Sequence, residues 1–298
     1  MHAVHRMHNK TPQTNPVEGT VQWSPLKSIW FCTCALIAII GGALTISPTA
    51  ILVSFIFTVS TLCLGHSVGF HRLLIHRSFA CPRWLEYILV HLGVLVGMGG
   101  PFRVMYMHEI RDWAQRHPNC HPFFIHRNPA WKDFLWQLHC EIQLRHPPGF
   151  IIEPSTAENV VYKFMQRTWL LQQLPWALLL YFCGGAGWVI WGIFVRITVS
   201  LIGHWLVGYF AHNHGSRDWH LTGHAVQGYN LDHLGLLTMG ECWHNNHHAF
   251  PGSAKLGIGE HQLDPGWWAI SALQKLRLAW AIKLPADQPE RPELSAAP

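Results

Sequence analysis

Apolar residues run from 30 to 47 and again from 49 to 64, broken by Pro48. Each run is a little short of the roughly 20 residues that cross a ~30 Å hydrocarbon core. The pattern predicts a tight helical hairpin. It repeats at 169–182 and 188–208, which flank the glycine-rich turn "GGAG" at 184–187, so two hairpins and four crossings are expected. A further apolar stretch, 84–100, is interrupted by Glu86 and His91 and lies between polar clusters; it reads as an interfacial or re-entrant helix rather than a span. The first 27 residues are polar and lack the apolar core of a signal peptide, so 1–27 is expected to be a flexible lead-in, 28–283 the folded domain and 284–298 a flexible tail.

Charge orients these elements. Neither hairpin turn carries Lys or Arg, whereas the segment joining the hairpins carries eleven, from Arg72 to Arg167. The positive-inside rule places that segment in the cytosol, and an even number of crossings puts both termini there too. Arg196 sits within the fourth apolar run, where a charge is costly and usually faces a bundle interior or polar cavity, so it is expected at the floor of a site. Hydrophobic residues make up 49% of the chain and charged residues only 12%, against about a quarter in soluble domains. The modest net charge of +5 comes with no nucleic-acid motif. The eight cysteines form no CxxC pair, and Cys32, Cys34, Cys63 and Cys183 lie in apolar runs and read as small buried hydrophobes.

Histidine is the exception to this greasy composition, with 23 copies. His71 and His76 follow the second apolar run, on roughly adjacent faces of a helix end. His244, with His247 and His248 three and four residues later, places imidazoles on one helical face at ligand spacing. Neutral imidazole suits iron, copper, nickel and zinc, and the lack of thiolates in the clusters argues against a structural cysteine-type zinc site. The fold expected is all-α: a four-transmembrane-helix protein of two hairpins with a cytosolic helical cap holding a histidine-rich dimetal site.

The residues "GHSVGFHRLLIHRSF" (65–79) and "GECWHNNHHAFPGSAKLGI" (240–258) resemble the first and third histidine boxes of membrane acyl-CoA desaturases of the stearoyl-CoA, delta-9 type. The order hairpin, boxes, hairpin, box covers about 28–283. The resemblance implies two iron ions held mostly by histidine, with His71, His76, His108, His212, His244, His247 and His248 as ligands.

Two departures stand out. Where the family has a second HxxHH box this chain has "HEIRDW" (108–113), so His108 is kept while Arg111 and Asp112 stand in place of two histidines. Arg111 cannot ligate, because guanidinium stays protonated and offers no acceptor; Asp112 can, through a carboxylate oxygen. Arg111 is expected to hydrogen-bond and orient Asp112, with Asn245 as a further supporting residue. The family also has an NxxxH element near the end of the fourth span. Here His212 matches its histidine, with Gly208 in place of asparagine; the alternative registration is His204 with Ser200. His66 and His204 are possible substitute ligands.

The resemblance implies an oxidoreductase that uses O2 and a di-iron centre to place a double bond in an acyl chain carried by coenzyme A, acyl carrier protein or a lipid. It would draw electrons from an external ferredoxin, rubredoxin or cytochrome b5 type of donor. The altered second box leaves open a lipid hydroxylase at the same kind of site, and a metal-free lipid-binding or regulatory homologue is the non-enzymatic alternative. "RHPPGF" (145–150) reads as a proline-rich loop, and the tryptophans of 131–191 as interfacial anchors.

Overall fold

The computed structural model describes residues 6–298. The chain is mostly helical, and among the described residues three helical stretches are long and apolar enough to cross a membrane: Pro25–Leu44, Pro48–Ile75 and Gln173–Ala211. Helix α1 (Pro25–Leu44) opens on a proline at its first turn, where the missing N–H costs nothing. Helix α2 (Pro48–Ser60) does the same, with the Ser47 hydroxyl accepting from Ala50 N. The second stretch runs on as a π-helix, Thr61–Ile75. Large side chains such as Ile39 (71% exposed), Phe55 (64%) and Phe182 (82%) point outward from these helices. An exterior of that kind suits lipid and not water. Cys32 and Cys183, expected to be buried, belong to this outward surface, whereas Cys34 and Cys63 are buried as expected; all eight cysteines are free.

The third stretch is two helices, α9 (Gln173–Val189) and, beyond a short π-turn at Ile190–Val195, α10 (Arg196–Ala211). Within α9 the helix is broken at Gly185, whose φ of 72° and ψ of −167° are non-helical. A Cβ on Gly192 would lie 2.6 Å from the Leu180 side chain, a contact that twelve residues of straight helix would forbid, so the chain folds back at the glycine cluster.

Between the hairpins come α3 (Arg83–Leu95), α4 (Pro101–Gln115), α5 (Pro122–Ile125), α6 (Ala130–His139), α7 (Pro154–Ala157) and α8 (Val160–Arg167); α11 (His244–Ala249) and α12 (Pro265–Lys275) follow α10. Helix α3 lies on the π-helix at backbone contact, because a Cβ on Gly65 would sit 2.3 Å from the Leu92 carbonyl carbon and one on Gly69 2.4 Å from the Leu89 oxygen. Its Trp84 and Ile88 remain exposed. The buried Arg196 guanidinium donates to Gly192 O and Gln173 Oε1, each at 2.7 Å, and to Leu95 O. It faces the bundle interior, as expected of a charge in an apolar run, ties three helices together and bonds no histidine.

Three antiparallel two-stranded ribbons complete the fold and qualify the all-α expectation: β1 (Met7–His8) with β4 (Gly149–Phe150), β2 (Gly19–Trp23) with β3 (Cys140–Leu144), and β5 (Trp219–Leu221) with β6 (Leu294–Ala296). The end segments expected to be flexible therefore include paired strands; residues 1–5 lie outside the described residues. Arg6, 1% exposed, donates to Ile75 O at 2.7 Å and pairs with Glu109 and Glu153, which caps the end of the π-helix. Arg291 donates to His248 O and Ala249 O at 2.8 and 3.0 Å and so holds the end of α11.

Candidate metal centre

The π-helix explains how His71 and His76 come together. With hydrogen bonds five residues apart, as in His76 N to His71 O at 3.0 Å, residues i and i+5 stack on one face. Their ring centroids are 4.9 Å apart. Helix α4 brings His108 to the same place, and α11 brings His247. These four histidines can each offer one ring nitrogen within 4.8 Å of the others. A second group forms beside it from His212, at the end of α10, and His244 and His248, one turn apart on α11. Helix α11 thus serves both groups.

Asparagines hold that short helix. Asn245 Oδ1 accepts from Asp218 N and Trp219 N, both at 2.9 Å, and its amide donates to Trp219 O at 3.0 Å. Asn246 donates to Leu256 O and Gln262 Oε1, each at 2.8 Å. Both are 1% exposed, so α11 is fixed from beneath by fully satisfied amides.

Two observations test whether the residues fit metal. In the second group, His244 Nε2 lies 3.2 Å from His212 Nε2 and 3.1 Å from His248 Nε2. Ligands bonded to one ion at about 2.0–2.1 Å stand roughly 3 Å apart. In the first group, His76 Nε2, His108 Nδ1 and His247 Nδ1 are buried with no protein partner. Buried polar atoms are rarely left so, and a cation would satisfy them. His71 Nδ1 is 2.6 Å from Glu241 Oε2, and Glu241 also accepts from Ser67 Oγ at 2.6 Å. A carboxylate on one ring nitrogen fixes the tautomer and leaves the other nitrogen free for metal. The residues therefore fit a pair of metal ions.

Electrostatics favours neutral imidazoles here. Burial lowers His108 and His244 from the ordinary 6.5 to about 4, against the opposing pull of Asp112. Burial and then neighbouring histidines push His76, His212, His247 and His248 well below the ordinary value. Burial raises the Glu241 carboxyl, but His71 and Arg72 beside it outweigh that and hold it well below the usual carboxylate range. The sign of the pH dependence follows. Below about pH 6.5 the unfolded chain takes up protons that the folded, metal-free chain refuses until about pH 4, so stability is lost as pH falls through that window. Chelator-treated protein is expected to unfold at a lower temperature at about pH 5 than at about pH 7.5. An unfolding temperature that does not fall would contradict this.

Of the expected residues, seven histidines converge and three others do not. His66 and His204 face each other, ring centroids 5.0 Å apart, outside both groups, so the His212 registration is the one that joins a cluster. Asp112 also falls outside the two groups; its Oδ2 is 3.7 Å from His108 Nδ1 and 3.6 Å from Arg116 Nη2, and it lines an opening shared with His247, His248, His224 and Arg291. The expected Arg111–Asp112 hydrogen bond is not formed. Arg111 turns away from Asp112, to His126 Nε2 and Gln137 Oε1 (2.8 Å), and Arg116, one turn after Asp112, faces its carboxylate instead. Other spare histidines do local work: His117 bonds Trp113 O and His121 caps α5.

Sequence reading passed over His126, Asp133 and Gln115. Gln115 completes a stripe 108, 111, 112, 115 at helical spacing, which a wider window would have caught. His126 and Asp133 lie off that helix and left no local signal.

No protein-family model matches the chain. Among curated proteins it is 36% identical over 226 residues to the sn-1 stearoyl-lipid 9-desaturase of Anabaena variabilis, covering 74% of this chain and 79% of that protein. The chain belongs to the fatty acid desaturase family. Delta-9 acyl-lipid desaturase 2 of Arabidopsis thaliana is 30% identical over 270 residues, 84% of each chain. The acyl-CoA C20 Delta5-desaturase of Anemone leveillei is 32% identical over 244 residues, 78% of this chain and 73% of that one. Family membership joins the two histidine groups to an oxidoreductase fold used on acyl chains.

Proposed function

We propose that this protein is a membrane-bound di-iron acyl desaturase that introduces a double bond into a lipid-linked acyl chain, using O2 and electrons from an external ferredoxin, rubredoxin or cytochrome b5 type of donor. The observation that carries this reading is the pair of adjacent histidine groups, bridged by α11 and attached to helices of membrane length, in a chain of desaturase relatives. Four crossings, with the fold-back at Gly185 as the second hairpin, leave the histidine-bearing cap and both termini on the cytosolic side. Relatives named for lipid-linked substrates favour an acyl lipid; acyl-CoA and acyl carrier protein are the other head groups such a site would serve.

His71, His76, His108 and His247 would hold one iron and His212, His244 and His248 the other. When bound, the irons supply the oxygen activation that removes two hydrogens from an unactivated methylene pair, a task beyond any side chain. The protein's part is positioning and exclusion of water. Glu241 orients His71, and Asn245 and Asn246 fix α11. Asp112 would complete the site from its open side, since it lines an opening shared with one histidine of each group.

Iron content tests this reading. Protein purified in detergent from iron-supplied cells, without chelator, is expected to carry about two irons per chain. Folded protein without metal would point to the lipid-binding role instead. Asp112→Ala is expected to cut metal retention about 10-fold or more; unchanged iron occupancy and activity would remove Asp112 from the ligand set.

A further inference from the structure

The two histidine groups differ in what else reaches their nitrogens. Every buried histidine nitrogen without a protein partner, among the described residues, belongs to the four-histidine group. The nitrogens of the three-histidine group face one another, His244 Nε2 lying between His212 and His248, and one of them meets a further donor. His212 donates through Nδ1 to Gly208 O, and its Nε2, the nitrogen left to bind metal, lies 3.0 Å from the Gln115 amide nitrogen. Gln115 is 1% exposed and also donates to Phe124 O at 2.7 Å, which fixes its N–H side toward the histidine. An N–H aimed at a ligand's lone pair competes with a metal for it.

A cation stands behind this contact. The Arg111 guanidinium donates to His126 Nε2, and the His126 ring stacks on His212 with centroids 5.0 Å apart and planes at 22°. Asp133, wholly buried, holds the other His126 nitrogen at 2.9 Å and accepts from Trp205 at 3.0 Å; its carboxylate offsets part of the arginine's charge. Arg111 is held on its other side by Gln137, so it has no free path away from the site. The second group thus offers three imidazoles, one of them already accepting a hydrogen bond, next to a guanidinium that repels a dication.

We propose that the two groups bind metal unequally: the four-histidine group tightly, and the three-histidine group as a weaker, exchangeable site whose affinity Gln115 and Arg111 lower. The inference rests on the di-iron reading and deepens it.

Titration of chelator-stripped, detergent-solubilised protein with Co(II), followed by its visible absorption and by metal counted per chain, tests it. Two phases are expected, with dissociation constants at least ~10-fold apart. His76→Ala should remove the tight phase and His248→Ala the weak one. Arg111→Met and, separately, Gln115→Met should strengthen the weak phase several-fold and leave the tight phase alone, while Arg111→Lys, which keeps the charge, should keep the gap. Two ions bound with a single affinity, a tight phase that disappears in His248→Ala, or a gap unmoved by both methionine variants would overturn the inference and leave the di-iron reading standing. Folded protein that takes up no metal would overturn both.

Discussion

His247→Ala is expected to empty the four-histidine group and abolish oxidation. His247 is 3% exposed, belongs to the first histidine group, and keeps a buried Nδ1 that no protein atom satisfies. Its removal takes one of four imidazoles from the tighter site and leaves a cavity no neighbouring histidine fills. Metal should fall from about two ions per chain to about one or fewer, and activity by at least ~100-fold, since even an orienting residue behind a ligand typically costs 10–100-fold. The exposed His214 supplies the control: His214→Ala should change neither. Wild-type metal content in His247→Ala would show that the first group is not a metal site.

Asp264→Ala is expected to give the largest loss of stability among single substitutions away from the histidines. The carboxylate is 1% exposed, pairs with the equally buried Arg72 at 2.8 Å, and accepts from the backbone of Leu256 (2.8 Å), Gly257 (3.1 Å) and Trp267 (2.9 Å). It therefore caps α12, anchors the segment after the third box, and neutralises the cation next to His71. Breaking a buried pair while leaving its partner charged costs about 3–5 kcal/mol. Arg72 would keep only the Glu241 carboxylate, 3.6 Å away and already shared with His71 and Ser67, and the close packing of Gly266 against its guanidinium leaves it little room to move. The measurement is thermal unfolding in detergent, with a fall of roughly 5–15 °C expected. A change of only a degree or two would show that the Arg72–Asp264 contact is dispensable.

The four apolar runs were legible because period and length alone decide whether a helix of that kind forms, and helices α1, α2, α9 and α10 fall on them. The second was underestimated. It was expected to end near residue 64, but the helix continues to Ile75 because a π-helix carries the polar box directly out of the apolar run. Nothing in hydropathy signals that change of winding, yet it is what aligns His71 with His76.

The seven histidines could be named from spacing and resemblance, whereas their division into four and three could not. That division depends on where α4 and α10 approach α11, which is set by tertiary packing. The same holds for Arg111. Position on α4 suggested that it would serve its neighbour Asp112, but adjacent residues on a helix point in different directions, and a histidine fifteen positions away claims the guanidinium. The pairing of the end segments was hidden for a related reason: β1, β2 and β6 pair with strands far away in sequence, and short polar stretches carry no sign of a distant partner.

The central claim is that these histidines serve the desaturation of an acyl chain, and the most direct measurement is of product. Lipids extracted from cells expressing the protein together with a redox donor, compared with cells expressing His247→Ala, would be analysed by mass spectrometry. A new acyl chain lighter by two hydrogens and present only with the wild-type protein is the predicted result. A chain heavier by one oxygen, or lipids identical in the two strains while the wild-type protein is folded and loaded with iron, would contradict it.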